Sequence, residues 1–153
     1  MEESLIENVF ESEIKEIFQL KECDAGMYSP LVLAYIGDAV YELIIRTIIV
    51  NRGNCPVNQM HKKSSSLVKA PAQAEFITLL MEELTEEEQA IYKRGRNAKS
   101  ATAAKNATIQ DYRMATGFEA LIGYLYLKGN KKRLVELVLH ALQKKGVLKI
   151  DEV

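Results

Sequence analysis

The stretch LAYIGDAVYE, residues 33–42, sets an aspartate, Asp38, into a segment whose other residues predict a buried helix. Ser29 and Pro30 before it are an N-cap residue and a first-turn proline, and Gly53 after it is typical of a helix end. We therefore expect a helix from residue 30 to about residue 51, apolar on most sides and central to the fold. An unpaired carboxylate buried there costs several kcal/mol, so Asp38 needs a partner.

The rest of the chain also predicts helices. Apolar residues recur at spacings of three and four over residues 5–18, and Thr85 with Glu88 forms a capping box. Further helices are predicted over residues 58–69, 72–83, 108–128 and 131–144, whereas residues 95–107 have the composition of an exposed loop. No alternating strand pattern or repeat is present. The predicted fold is all-α, a helical bundle forming a single domain over residues 1–153.

The charge is unevenly distributed along the chain. Residues 1–24 hold eight acids and two lysines, and residues 93–133 hold ten Lys or Arg and two acids. This asymmetry indicates a polyanionic partner, although solvated helix faces are the alternative for either run. No apolar run is long enough for a membrane span, and the acidic start lacks a signal peptide's basic region, so we expect a soluble, cytoplasmic protein. Cys23 and Cys55 are isolated, which predicts neither a disulfide framework nor a zinc site.

A second acid, Glu119, lies within the apolar stretch ATGFEALIGYLYL. If the two apolar helices pack together, Asp38 and Glu119 converge, and a divalent cation between them would stabilise both. Glu42 follows Asp38 by one helical turn and shares its face. Two alternatives remain open: Asp38 accepts hydrogen bonds within its helix, or Glu119 pairs with Arg46 or Arg113.

These residues carry a resemblance to a known family. IGDAVYE is similar to the LGDAVLE core of the ribonuclease III signature, and FEALIGYLYL is similar to that family's block FEALIGAIYL. Together with HKKSSSLVKAPAQA and KRGRNAKS, these blocks resemble the mini-ribonuclease III branch over residues 30–130. The common family motif has a glutamate four residues before Asp38 and an aspartate three before Glu119. Here Ala34 and Thr116 stand at those positions, a pattern similar to that of the mini branch.

The resemblance implies a ribonuclease III-type endonuclease domain that cleaves double-stranded RNA with Mg²⁺, for which Mn²⁺ substitutes. Asp38 and Glu119 are then the catalytic residues and metal ligands, with Glu42 in a supporting or packing role. It also implies a homodimer with one active site per strand, maturation of the 23S ribosomal RNA precursor, and no following double-stranded-RNA-binding domain. The competing interpretation is a non-catalytic RNA-binding or ribosome-associated member of the fold, which the residues Ala34 and Thr116 keep open.

Two basic segments match the chemistry of phosphate and ribose contact. On the predicted loop, the candidate RNA-binding residues are Arg94, Arg96, Asn97, Lys99 and Ser100. In the second segment, which precedes the predicted 72–83 helix, the candidates are His61, Lys62 and Lys63. For Lys62 and Lys63, solvated surface remains an equal alternative. We expect solvated surface at Lys131, Lys132 and Arg133, a core position for His140, and packing roles for the tyrosines at positions 35, 41, 124 and 126.

Overall fold

The computed structural model describes residues 9–99 and 108–148, and over these residues the chain is helical with no strand. The all-α prediction is confirmed. The described helices are α1 (Val9–Ile17), α2 (Pro30–Asn51), α3 (Val57–Val68), α4 (Ala70–Leu80), α5 (Glu86–Asn97), α6 (Ile109–Lys128) and α7 (Lys131–Lys145), with short 3₁₀ helices at Ala25–Met27 and Met81–Glu83.

Side-chain caps define the helix starts. The Ser29 hydroxyl accepts a hydrogen bond from the Val32 amide, with Pro30 in the first turn, so α2 begins where the sequence predicts. In the predicted capping box of α5, Thr85 accepts from the Glu88 amide and the Glu88 carboxylate accepts from the Thr85 amide. The observed ranges of the long helices α2 and α6 match their predicted ranges to within about one residue.

Helices α2 and α6 cross at the centre of the molecule with their backbones almost in contact. A Cβ atom added to Gly37 would lie 1.8 Å from the carbonyl oxygen of Glu119, and one added to Gly123 would lie 2.0 Å from the carbonyl oxygen of Leu33. The pairing of 33 with 123 and of 37 with 119 makes the two helices antiparallel. Glycine is needed at both positions because any side chain would force the backbones apart.

Helix α5 packs on α6 by a similar close approach, and this alters one predicted boundary. A Cβ atom on Gly95 would lie 2.8 Å from the Cα of Gly117 and 2.8 Å from the Cβ of Ala120. Burial of Gly95 against α6 keeps residues 95–97 helical, although their composition predicts a loop. Arg94 and Arg96 thus lie in the last turn of a helix, and their predicted place on a flexible loop is wrong. Ser100 lies outside the described residues.

Helix α7 is tied to other helices by ion pairs. The Arg133 guanidinium donates to both carboxylate oxygens of Glu88, at 2.8 and 2.9 Å, and Lys131 lies 3.1 Å from the largely buried carboxylate of Glu11. Lys131 and Arg133 therefore hold the fold together rather than only facing solvent. The predicted core position of His140 is wrong, since its side chain is 40 % exposed. Its Nδ1 lies 2.6 Å from an oxygen of Glu83, a partner far away in sequence.

Two further expectations concern the membrane and the thiols. Among the described helices, none combines the length and the apolar character that crossing a membrane requires. Both Cys23 and Cys55 carry free thiols, as their isolation in the sequence predicts.

Candidate active site

The antiparallel contact of α2 and α6 brings Asp38 and Glu119 together. Gly37 lies against the main chain of Glu119, so Asp38 and Glu119 stand at the same level of the two helices, and both line one cavity. The two carboxyl groups are within hydrogen-bonding reach of each other. The predicted convergence of these two acids is thus present in the structure.

The two acids differ in exposure, and this corrects the expectation of a buried Asp38. Asp38 is exposed, whereas the Glu119 side chain is largely shielded between the helices. Burial, the hydrogen bond with Asp38 and the charge of Asp38 together raise the pKa of Glu119 to about 9. At neutral pH the pair therefore shares a proton unless a cation approaches it.

The acids line an open cavity of about 460 Å³. Glu42 is also on its wall, but the Glu42 carboxylate accepts a hydrogen bond of 2.7 Å from Arg46. The Thr116 hydroxyl donates to the carbonyl oxygen of Tyr112, so it points back into its own helix. Neither predicted partner of Glu119 is supported, because Arg46 pairs with Glu42 and the described residues place no Arg113 ion pair there.

A divalent cation fits this donor set. Within residues 9–99 and 108–148, no group of three or more His, Cys, Asp or Glu side chains is arranged to hold a metal. A hard cation such as Mg²⁺ needs only one or two protein carboxylates, because it keeps several waters. Burial and Asp38 raise the pKa of Glu119, and no cation among the described residues lowers it. The cavity leaves room for waters and a phosphate.

Tyr35 and Tyr41, on the same helix as Asp38, differ in how far the sequence predicts their surroundings. The sequence predicts a packing role for Tyr35, but its side chain is 81 % exposed on the cavity wall. Its spacing of three residues from Asp38 is the signal that could have placed it on the same face. Tyr41 is fully buried, as expected, and donates a hydrogen bond of 2.7 Å to the carbonyl oxygen of Leu67. Burial and the nearby charge of Glu119 raise the pKa of Tyr41.

Of the predicted RNA-binding residues that the structure describes, all but Lys99 lie on two helices. His61, Lys62 and Lys63 are exposed on the middle of α3. Of the second group, Arg94, Arg96 and Asn97 lie in the last turn of α5, and Lys99 follows it. The Arg96 guanidinium lies 5.7 Å from the ring centre of Tyr92, and its Nε donates to Asn97. The exposed members of that group are Arg94, Asn97 and Lys99.

Comparison with known proteins identifies similar chains. Residues 31–130 match the Ribonuclease III domain family. The chain is 58 % identical over 117 residues to mini-ribonuclease 3 of Clostridium tetani, covering 75 % of this chain and 77 % of that protein. It is 50 % identical over 125 residues to mini-ribonuclease 3 of Enterococcus faecalis, covering 80 % of this chain and 95 % of that one.

A solved structure has the same fold. The crystal structure of a protein from Fusobacterium nucleatum is 30 % identical in sequence and superposes with a TM-score of 0.73. The match covers 79 % of this chain and 98 % of that one. Ribonuclease III enzymes in general depend on a divalent metal and act on double-stranded RNA, which agrees with the donor set around Asp38 and Glu119.

Proposed function

Since the chain belongs to the mini-ribonuclease III branch of the ribonuclease III family and is an endoribonuclease, we propose that Asp38 and Glu119 are its catalytic metal ligands. The proposed ion is Mg²⁺, with Mn²⁺ as a substitute. The observation that carries this proposal is a largely buried glutamate next to an aspartate, with no cation from the described residues beside it.

In this proposal Asp38 and Glu119 hold one divalent cation between them. A bound divalent ion supplies positive charge for the phosphoryl oxygens and lowers the pKa of a water nucleophile. Asp38, on the open side of the cavity, and Glu119, between the helices, would together hold this ion, and its positive charge would favour the deprotonated form of Glu119. The close contact of α2 and α6 fixes the separation of both side chains before substrate arrives, so little reorganisation remains for the reaction.

Replacement of each acid tests the proposal. Asp38→Asn and Glu119→Gln keep the shape of each side chain but remove a negative charge. We expect cleavage of a duplex RNA in Mg²⁺ to fall at least roughly 100-fold in each variant. Glu42→Gln is the matched control on the same cavity wall, and it should keep activity within a few fold because Glu42 is already paired with Arg46. Near-normal cleavage by Asp38→Asn or Glu119→Gln would refute the assignment.

We also propose that the enzyme works as a homodimer paired through α2. One face of α2 is exposed and apolar, with Tyr35, Ala39, Leu43 and Val50 at spacings of four, four and seven residues. Leu43 and Val50 are 64 % and 62 % exposed. The one charged residue within this stripe, Arg46, is neutralised by Glu42. A face of this kind is typical of an interface between protein chains.

Twofold symmetry supports a specific arrangement of this dimer. If the two copies of α2 cross near residue 41, position 35 of one copy faces position 47 of the other. A small cavity of about 160 Å³, lined by Val50 and Met60 among others, lies at that end of α2. It is suited to receive the exposed ring of Tyr35. Tyr35 also lines the cavity of Asp38, so the second copy would border each active site, with one site for each RNA strand.

The proposed substrate is the precursor of 23S ribosomal RNA, held by phosphate and ribose contacts from the exposed residues of α3 and of the end of α5. This substrate implies a cytoplasmic location. Mapping the ends of 23S ribosomal RNA in cells that lack the protein tests the assignment. We expect extended 5′ and 3′ ends that return to normal when the wild-type gene is supplied but not when Asp38→Asn is supplied. Normal ends in the deletion strain would exclude this substrate.

A further inference from the structure

Side chains from other helices donate hydrogen bonds to the last carbonyl groups of α3. In a continuing helix the Leu67 carbonyl would accept from the amide of residue 71, but that residue is a proline and has no N–H. Lys69 is also extended, with φ −65° and ψ 154°, so the helix has already ended. The Leu67 carbonyl instead accepts from the Tyr41 hydroxyl at 2.7 Å, and the next carbonyl, of Val68, accepts from the side-chain amide of Gln73 at 2.7 Å.

Tyr41 connects this helix end to the active-site helices. It lies on α2, three residues after Asp38, and it is 1 % exposed. Its ring packs edge-on against the ring of Phe118, with centroids 5.2 Å apart and planes at 80°. Phe118 directly precedes Glu119 on α6. The Tyr41 side chain therefore contacts α6 beside Glu119 and donates a hydrogen bond to the last turn of α3. Its backbone lies one helical turn from Asp38.

The hydroxyl group of Tyr41 has a role that packing alone does not explain. Phenylalanine would fill the same volume and make the same edge-on contact with Phe118. The hydroxyl has a single proton, and that proton is donated to the Leu67 carbonyl. Removing it would leave a partly buried carbonyl without a donor at the point where α3 ends, because Pro71 cannot replace the lost hydrogen bond.

We propose that Tyr41 is a positioning residue that sets the orientation of α3, and with it the exposed side chains of His61, Lys62 and Lys63, relative to the carboxylate pair. The proposal rests on the proposed contact of these α3 side chains with RNA. Tyr41 is buried and does not touch the substrate, so it acts through α3 and is not a catalytic residue. Its loss should weaken the grip on RNA and leave the chemical step intact.

A double-mutant cycle on steady-state kinetics tests this role. The wild-type enzyme, Tyr41→Phe, the pair Lys62→Ala with Lys63→Ala, and the combination of all three are compared on one duplex RNA in Mg²⁺. We expect Tyr41→Phe to raise KM about fivefold or more and to change kcat and the half-saturating Mg²⁺ concentration less than about twofold. In the background of the two lysine substitutions, Tyr41→Phe should raise KM less than about twofold further, because two of the three α3 side chains through which it acts are already gone.

The matched control is Tyr126→Phe, which removes a hydroxyl from a partly buried tyrosine on α6 that is distant in sequence from α3. It should leave KM unchanged. An unchanged KM in Tyr41→Phe, or an equal rise with and without the two lysines, overturns the positioning role while leaving the proposed RNA contact standing. If the lysine substitutions alone leave KM unchanged, the proposed RNA contact of α3 fails, and the role of Tyr41 fails with it. Loss of cleavage in Asp38→Asn is independent of all these results.

Discussion

Gly37 on α2 lies directly against the main chain of Glu119 on α6, at a position where a Cβ atom would be 1.8 Å from the Glu119 carbonyl oxygen. The atoms on both sides of this contact belong to backbones, so neither can turn aside as a flexible side chain would. The same contact sets the distance between the two acids of the site. Stability and catalysis are therefore expected to respond together when it is disturbed.

Gly37→Ala should separate α2 from α6 and lower both stability and activity. Overpacking of a core contact costs about 3 kcal/mol, which corresponds to a fall in Tm of roughly 5–10 °C in a chain of this size. We also expect a loss of Mg²⁺-dependent cleavage at temperatures where the variant is fully folded. Thermal melts followed by circular dichroism and a cleavage assay measure the two effects.

Gly26→Ala is the control for this variant, because a Cβ there would have only an ordinary contact of 3.4 Å with Asp24. It should leave Tm and cleavage close to wild type. A Gly37→Ala protein that melts and cleaves like wild type would contradict the close contact of the helices.

The raised pKa of Glu119 predicts how the metal-free protein responds to pH. The folded protein holds a proton on Glu119 up to about pH 9, whereas the unfolded chain releases it near the usual pKa of 4.5. Between these values the folded state binds more protons, so its stability falls as pH rises. Thermal melts in a chelator from pH 6 to pH 9 should show this decline, and the gain in Tm on adding Mg²⁺ should increase over the same range.

Glu119→Gln isolates this effect because glutamine keeps the shape of the side chain and does not titrate. In chelator at pH 8 to 9 the variant should be more stable than wild type, and its Tm should decline less steeply with pH. A variant that is less stable than wild type at pH 9 would mean that Glu119 is compensated by some other group.

A charge placed on the exposed face of α2 should separate the proposed dimer. Leu43→Glu would set a carboxylate in the middle of the apolar stripe, and we expect the dimer dissociation constant to rise at least roughly 30-fold, or about 2 kcal/mol. Analytical ultracentrifugation measures the association, and duplex cleavage should fall with it. Val135→Glu on α7 is the control, since Val135 is 51 % exposed and lies outside the stripe. Unchanged association in Leu43→Glu would rule out pairing through this face.

The cations of α3 and α5 should govern how RNA affinity depends on salt. Each phosphate contact that is lost lowers the slope of log affinity against log salt by about one. We expect this for Arg94→Ala, measured by duplex binding in the cleavage-deficient Asp38→Asn background. Lys132→Ala removes an equivalent exposed charge from the start of α7 and should leave the slope unchanged. Equal slopes for Arg94→Ala and its parent would argue against a phosphate contact there.

Much of the fold could be predicted because its signals are local. Ser29 with Pro30 fixes the start of α2, and the reciprocal hydrogen bonds of Thr85 and Glu88 fix the start of α5. The pair of acids was also predictable, because Asp38 and Glu119 each interrupt an apolar stretch of a helix. In these cases the residues that decide the structure are neighbours in sequence.

The errors arise where a distant contact decides. The end of α5 stays helical because Gly95 packs on Gly117, a partner that local composition does not reveal. His140 likewise pairs with Glu83, which is distant in sequence, at a partly exposed position on α7. Apolar neighbours suggested that Asp38 is buried, but α2 leaves one apolar face uncovered and Asp38 lies at its edge. A pattern of apolar residues cannot distinguish a face covered by the same chain from one left exposed.

The ion pairs of α7 have a consequence for how a long polyanion finds the protein. Lys131, Arg133 and Lys144 each lie within about 3 Å of an acid from another element, so their fields largely cancel at a distance. Cations outside these pairs, such as Lys62 and Lys63 exposed on α3, then contribute more to the local positive potential. This field would rotate an RNA duplex during diffusion, before it contacts the protein, and the rotation would speed the formation of a productive complex.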